Sequence, residues 1–145
     1  MAGDTARIQA LLADRSAAIA ARDAAAAVST TADGAITYDL PPPLRYVHER
    51  TAAIADLEDW FSTWDGPISN MVIEPKIIVS GELAVAYGLA RLRGDAKSAG
   101  PLESWYRSTI VLERQPEGWR IIHEHLSYQM RMDGTRLAAT DLKPE

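Results

Sequence analysis

The chain has 145 residues, 47% of them apolar and 24% charged, a composition that suits one hydrophobic core and is too apolar for a disordered chain. Its net charge of −5 argues against nucleic acid or an anionic membrane as partner, and the lack of cysteine excludes disulfides, thiol nucleophiles and thiolate metal sites. No stretch approaches the roughly 20 apolar residues of a membrane span, and charges between Asp4 and Asp23 interrupt the N-terminus too often for a secretory leader, so a cytoplasmic location is expected. Richness in alanine and arginine points to a GC-rich bacterial source.

Asp4 to about Arg22 reads as a helix. Asp4 or Thr5 supplies a capping oxygen, and Ile8, Leu11, Leu12 and Ile19 fall on one face. Asp23 is placed to cap a second, short helix from Ala24 to about Thr30, closed by the turn pair Asp33-Gly34. Ala35 to Leu40 alternates as a strand, with Ile36, Tyr38 and Leu40 on one face and Thr37 and Asp39 on the other. Pro41, Pro42 and Pro43 end it, because none can donate to a ladder. After a loop to Glu49, the spacing of Ile54, Leu57, Phe61 and Trp64 predicts an amphipathic helix from Arg50 to Thr63, stopped by Asp65-Gly66-Pro67.

The remainder is rich in Val, Ile, Tyr and Trp and predicts four long strands, Ser69–Val79, Glu82–Gly94, Leu102–Arg114 and Trp119–Met130. Their short connections make neighbours antiparallel. Pro75 inside the first implies a bulge or a sheet edge. From Asp133-Gly134 onward the chain reads as a polar surface tail. Helices gathered against an antiparallel sheet give an α+β class, and a long twisted sheet can bend around a helix to leave a hollow end. With no repeats and no linker, residues 1–145 are expected to form one domain.

Three stretches carry a family likeness. They are Tyr38-Asp39-Leu40 with the prolines and Leu44-Arg45-Tyr46; Trp60-Phe61 with Trp64, Gly66, Pro67 and Ile68; and Trp105, Arg107 and Thr109 followed by Gly118–Ile121, His123-Glu124-His125 and Ser127. In these the chain resembles the SnoaL-like branch of the nuclear-transport-factor-2 superfamily, whose relatives include ketosteroid isomerase. The resemblance implies a cone-shaped NTF2-like (cystatin-like) fold and a pocket for a small molecule, with no cofactor. It also implies a homodimer through the outer sheet face. The family's fold hosts isomerases, cyclases, hydrolases and assembly domains, so the fold alone names no reaction.

Asp39 is the first candidate. The resemblance implies a general base here, and an apolar surrounding would raise its pKa toward neutrality; the alternative is a carboxylate that caps the proline turn. The isomerase's oxyanion hole does not carry over, because the corresponding places hold Arg15 or Ser16 and Ser108 or Thr109. His123 and His125, two apart on a strand, share a face with Trp119, Ile121 and Ser127. By analogy with the relatives that face is inward, for acid or hydrogen-bonding roles; the alternatives are pairing at an interface or, with Asp39, ligation of a metal. Arg107 reads two ways. With Trp105 and Thr109 it faces the pocket and holds an anion or orients Asp39, whereas if Tyr106, Ile110 and Leu112 are the core face it lies outside. Tyr38, Trp60 and Tyr87 supply aromatic wall and Ser127 a hydroxyl, while His48 is expected in a solvated loop. These residues predict acid–base chemistry, of isomerisation or cyclisation type, on an apolar cyclic or polyketide-like substrate. A binding or oligomerisation module without catalysis is the alternative.

Overall fold

The computed structural model describes residues 3–145. Two helices come first, α1 (Asp4–Ala20) and α2 (Ala24–Val28), followed by β1 (Thr31–Tyr38), a short β2 (Tyr46–Val47) and α3 (Arg50–Phe61). Five strands follow: β3 (Trp64–Val72), β4 (Lys76–Ser80), β5 (Leu83–Ala96), β6 (Gly100–Gln115) and β7 (Gly118–Ser127). The sheet order is β2-β1-β7-β6-β5-β3, and β4 also pairs with β5. Every pairing is antiparallel except β1 with β7. The helices lie against one side of this curved, unclosed sheet, which is the expected α+β cone. Among the described residues no helix is long and apolar enough to cross a membrane.

The helix ends show which local signals matter. Asp23 caps α2 by accepting from the Ala26 N–H at 3.1 Å, and Glu49 caps α3 by accepting from Thr51 and Ala52. Neither Asp4 nor Thr5 caps α1: Gly3 is its N-cap residue, with no side-chain bond. The Asp4 carboxylate instead reaches across the fold, accepting from Arg114 Nη2 at 2.6 Å and Trp119 Nε1 at 3.2 Å. Arg22 leaves α1 with φ +58. Its guanidinium donates to the carbonyls of Phe61, Trp64 and Gly66 and so ties the α1–α2 turn to the start of β3.

Several strand boundaries differ from the periodicity. Asp33-Gly34 is no turn: β1 runs through it with an irregular register and Gly34 at φ +84. Trp64 opens β3 and does not extend the α3 stripe, and its ring packs so closely on Gly94 that a Cβ there would sit 2.9 Å from it. The run around Pro75 is two strands, β3 and β4, which pair in turn with β5 along one sheet edge. The tail is also tied down. Ala139 is buried, its N–H donates to Gln129, and the Thr140 carbonyl accepts from Ser104 on β6.

The closed end of the cone is apolar. Ile8 and Leu12 of α1 pack on Ala84, Ala86, Ile110, Leu112, Trp119 and Ile121. The small side chains of β5 let the helix approach the sheet, and the larger ones of β6 and β7 fill the space. A second cluster of Ala24, Phe61, Trp64, Ile68 and Ala96 joins α2 and α3 to the sheet margin.

Candidate active site

A cavity of about 690 Å³ opens between α1, α3 and the concave face of the sheet. Ile19, Val28, Leu57, Val72, Leu92 and Leu126 give it apolar walls. Its polar groups come from side chains that the strand register turns inward.

That register hinges on one extra residue. Val111 pairs with His123, but the next residue, Leu112, pairs with Ile121, so Ile122 is a bulge in β7. Without it, the alternation from Trp119 and Ile121 would carry inward through His123 and His125. With it, the phase reverses. Ala86, Ile110, Glu124 and Thr37 form one inward cross-strand row, and Tyr87, Thr109, His125 and Tyr38 form the neighbouring outward row.

The inward-facing expectation for His123, His125 and Ser127 is therefore corrected. Tyr38 packs edge-on against His123 and His125, with ring centroids 4.9 and 5.3 Å apart, on the outside of the sheet. The His123 Nδ1 lies 2.6 Å from the Ile36 carbonyl, which can only accept, so Nδ1 carries the proton. Arg107 is exposed and donates to Ser127 Oγ and the Tyr128 carbonyl, neither of them in the cavity. Its strand presents Tyr106, Ser108, Ile110 and Leu112 to the interior, the second of the two alternations. Tyr87 is an outer-face residue as well. Of the residues singled out by sequence, Asp39 and Trp60 line the cavity.

Around these two stand groups that the sequence marked weakly or not at all. Arg15 of α1 and Glu124 of β7 form a two-pronged ion pair, 2.9 Å and 3.1 Å. Burial opposes the charge on Arg15, but Glu124's charge and hydrogen bonds outweigh it and hold the guanidinium pKa above its ordinary value. Tyr106 donates its hydroxyl proton to Asn70 Oδ1 at 2.5 Å. Burial, with the nearby Glu124 charge, pushes the Tyr106 pKa far up, so the phenol stays protonated. His48, expected in solvent, is half-buried at the wall between β2 and α3. Its Nε2 is shielded and unpartnered among the described residues, and burial lowers its pKa and favours the neutral ring.

Asp39 sits at the mouth, just past the end of β1. Leu40 N–H donates to it at 2.7 Å, so part of the turn-capping role is present. Its side chain keeps contact with solvent, yet the surrounding protein desolvates the carboxyl enough to raise its pKa. The Leu40 bond opposes that rise and the Glu124 charge adds to it. An ionisable carboxyl of raised pKa thus faces an apolar cavity that also holds a fixed cation and a protonated phenol.

A cone of helices in a curved mixed sheet, with a polar-floored cavity at its open end, defines an NTF2-like protein. The SnoaL-like domain family matches residues 8–131, and the chain belongs to that family. An NTF2-like protein of unknown function from Pseudomonas putida KT2440 is 28% identical, with a TM-score of 0.82 over 98% of this chain and 99% of that one. A Streptomyces avermitilis protein of the NTF2-like family, whose name suggests a dehydratase, is 14% identical, with a TM-score of 0.71 over 88% and 97%. A Novosphingobium aromaticivorans protein, whose name suggests an aromatic ring hydroxylase, is 16% identical, with a TM-score of 0.75 over 88% and 90%. The last two likenesses concern the fold. No curated protein matches the sequence.

Proposed function

We propose that the cavity binds a small cyclic or polyketide-like carbonyl compound and catalyses proton transfer on it, of the isomerisation or cyclisation type, without a cofactor. The observation that carries this reading is Asp39: a carboxyl of raised pKa at the mouth of an apolar cavity. Ionised, Asp39 takes a proton from carbon beside the carbonyl. The electron pair moves onto the carbonyl oxygen, which accepts from the Arg15 N–H groups that Glu124 leaves free at the floor. Asp39 then returns the proton to another carbon, or the enolate closes onto a second carbonyl, whose oxygen takes the π electrons and then the proton from Asp39. The Tyr106 hydroxyl gives its one proton to Asn70 and so orients that amide, with no part in the transfer. His123 and His125 have no part in this scheme.

The experiment is hydrogen–deuterium exchange, followed by proton NMR in heavy water, across a panel of cyclic ketones and diketones. The protein should accelerate exchange beside the carbonyl of at least one compound, and Asp39→Asn should abolish the acceleration. Unchanged exchange in Asp39→Asn defeats the assignment. Binding without exchange across the panel favours a carrier over an enzyme, a reading supported by the neutralisation of Arg15 by Glu124.

The same reading makes the protein a cytoplasmic bacterial homodimer paired through the outer sheet face. Supporting this, Ile78, Tyr87 and Leu89 leave apolar area exposed on that face, beside Tyr38 and His125. Mass measurement in solution tests the pairing, and Leu89→Lys should yield monomers.

A further inference from the structure

The cavity carries an imbalance of charge. Among the described residues its single fixed cation, Arg15, is neutralised by pairing with Glu124. Asp39, Asp56 and Asp59 also line it, and among the described residues none of these three lies within ion-pair distance of a basic group. Asp56 and Asp59, both exposed, stand three apart on α3 and line the cavity together with Trp60 and with Tyr46 of β2. Among the described residues no three potential metal ligands converge, so these carboxylates are spread along a rim and do not form a chelating set. Unpaired carboxylates around a hollow that also holds the rings of Tyr46, Trp60 and Tyr106 create a field that attracts positive charge and repels negative charge.

We propose that the cavity selects ligands bearing a positive charge, such as a protonated amine, at the end that faces the Asp56–Asp59–Trp60 rim, and discriminates against carboxylates. This rests on the cavity being the ligand site and adds the charge class of what enters it. The raised pKa of Asp39, to which Glu124 contributes, agrees with a local field already negative. The neutral state favoured for His48 leaves that field uncompensated on the β2 side. Asp56 and Asp59 then act as specificity residues with no part in the proton transfer.

The test compares three probes of one shape, 2-naphthylmethylamine, 2-naphthalenemethanol and 2-naphthoate, by calorimetric titration of the full chain at low and high salt. The amine should bind about tenfold more tightly than the carboxylate, roughly 1.4 kcal/mol, with the alcohol between them. High salt should narrow the gap. The double variant Asp56→Asn, Asp59→Asn should cut the amine's advantage to about threefold or less while leaving the alcohol's affinity unchanged. Carboxylate binding equal to amine binding overturns the charge selection and leaves the cavity as a ligand site. Equal loss of all three probes in the double variant also overturns it, because the effect is then structural. If none of the three binds the wild-type protein, the ligand-site reading falls and the selection falls with it.

Discussion

Arg15 and Glu124, 109 positions apart in the chain, meet in parallel hydrogen bonds, Nη1 to Oε2 at 2.9 Å and Nη2 to Oε1 at 3.1 Å, at the floor of the cavity. The pair joins α1 to β7 and holds two charges well inside the cone, with side-chain exposures of 19% and 14%. A paired charge of this kind stabilises modestly, but stranding one partner is costly.

Glu124→Gln and Arg15→Met should therefore each lower the stability by about 2–4 kcal/mol, measured by urea unfolding. The double variant Arg15→Met, Glu124→Leu should recover most of that loss, because it leaves no unpaired charge. If the two single losses simply add in the double variant, the pair is not coupled.

The same carboxylate bears on Asp39. Desolvation and Glu124 hold the folded-state pKa of Asp39 above its ordinary 3.8. A folded state that binds the proton more tightly than the unfolded chain loses stability as pH rises from the unfolded value through the folded one. Asp39→Asn should remove this loss, so its melting temperature should exceed wild type at neutral pH and converge with it below pH 3.8. Deuterium exchange should follow the opposite limb, appearing only as Asp39 ionises. Glu124→Gln should shift that onset to lower pH by removing a like charge. An onset unmoved by Glu124→Gln contradicts the coupling.

Much of the fold is legible in the sequence, because helix stripes and strand alternation are local. Asp23 and the proline run after Leu40 mark real boundaries, and Pro75 marks a real edge. The face of β7 is not legible. Trp119, Ile121, His123, His125 and Ser127 alternate without a fault, and nothing in residue type announces that Ile122 is an extra residue. A bulge is decided by pairing across strands, here by Leu112 meeting Ile121 while Val111 meets His123. A single uncounted residue thus moved two histidines out of the site and put Glu124 into it. On β6 the apolar positions Tyr106, Ile110 and Leu112 carry the correct one of the two alternations the sequence left open. The position of Asp39 beside the cavity is legible because it follows a strand and precedes prolines, and neither feature depends on register.

That correction predicts what the outer residues do. His125→Ala and Arg107→Ala should leave Asp39-dependent exchange within about twofold of wild type, since neither side chain lines the cavity. His123→Ala should lower stability by about 1 kcal/mol, through loss of the Nδ1–H bond to Ile36, with the same exchange rate. A drop of a hundredfold or more in any of the three would require an inward route for these groups and would undo the face assignment.

The junction of α1, α3 and β3 depends on Arg22. Its guanidinium donates to Phe61 O at 2.6 Å, Trp64 O at 3.0 Å and Gly66 O at 2.6 Å. Phe61 ends α3, so one of these bonds satisfies a carbonyl the helix leaves without an internal partner. The other two hold the entry to β3 against α1. No neutral side chain of similar length supplies so many donors, and lysine lacks the planar fork. Arg22→Ala should thus lower stability by about 2–3 kcal/mol, the scale of charge-assisted bonds with partial access for replacing water. Arg22 also carries φ +58, a region where glycine has no Cβ to strain. Arg22→Gly should accordingly be less damaging than Arg22→Ala, by up to about 1 kcal/mol, although it removes the same bonds. Urea titration of both variants separates the two effects. If alanine and glycine cost the same, the left-handed turn contributes no strain. If both are neutral, the three carbonyls do not depend on Arg22.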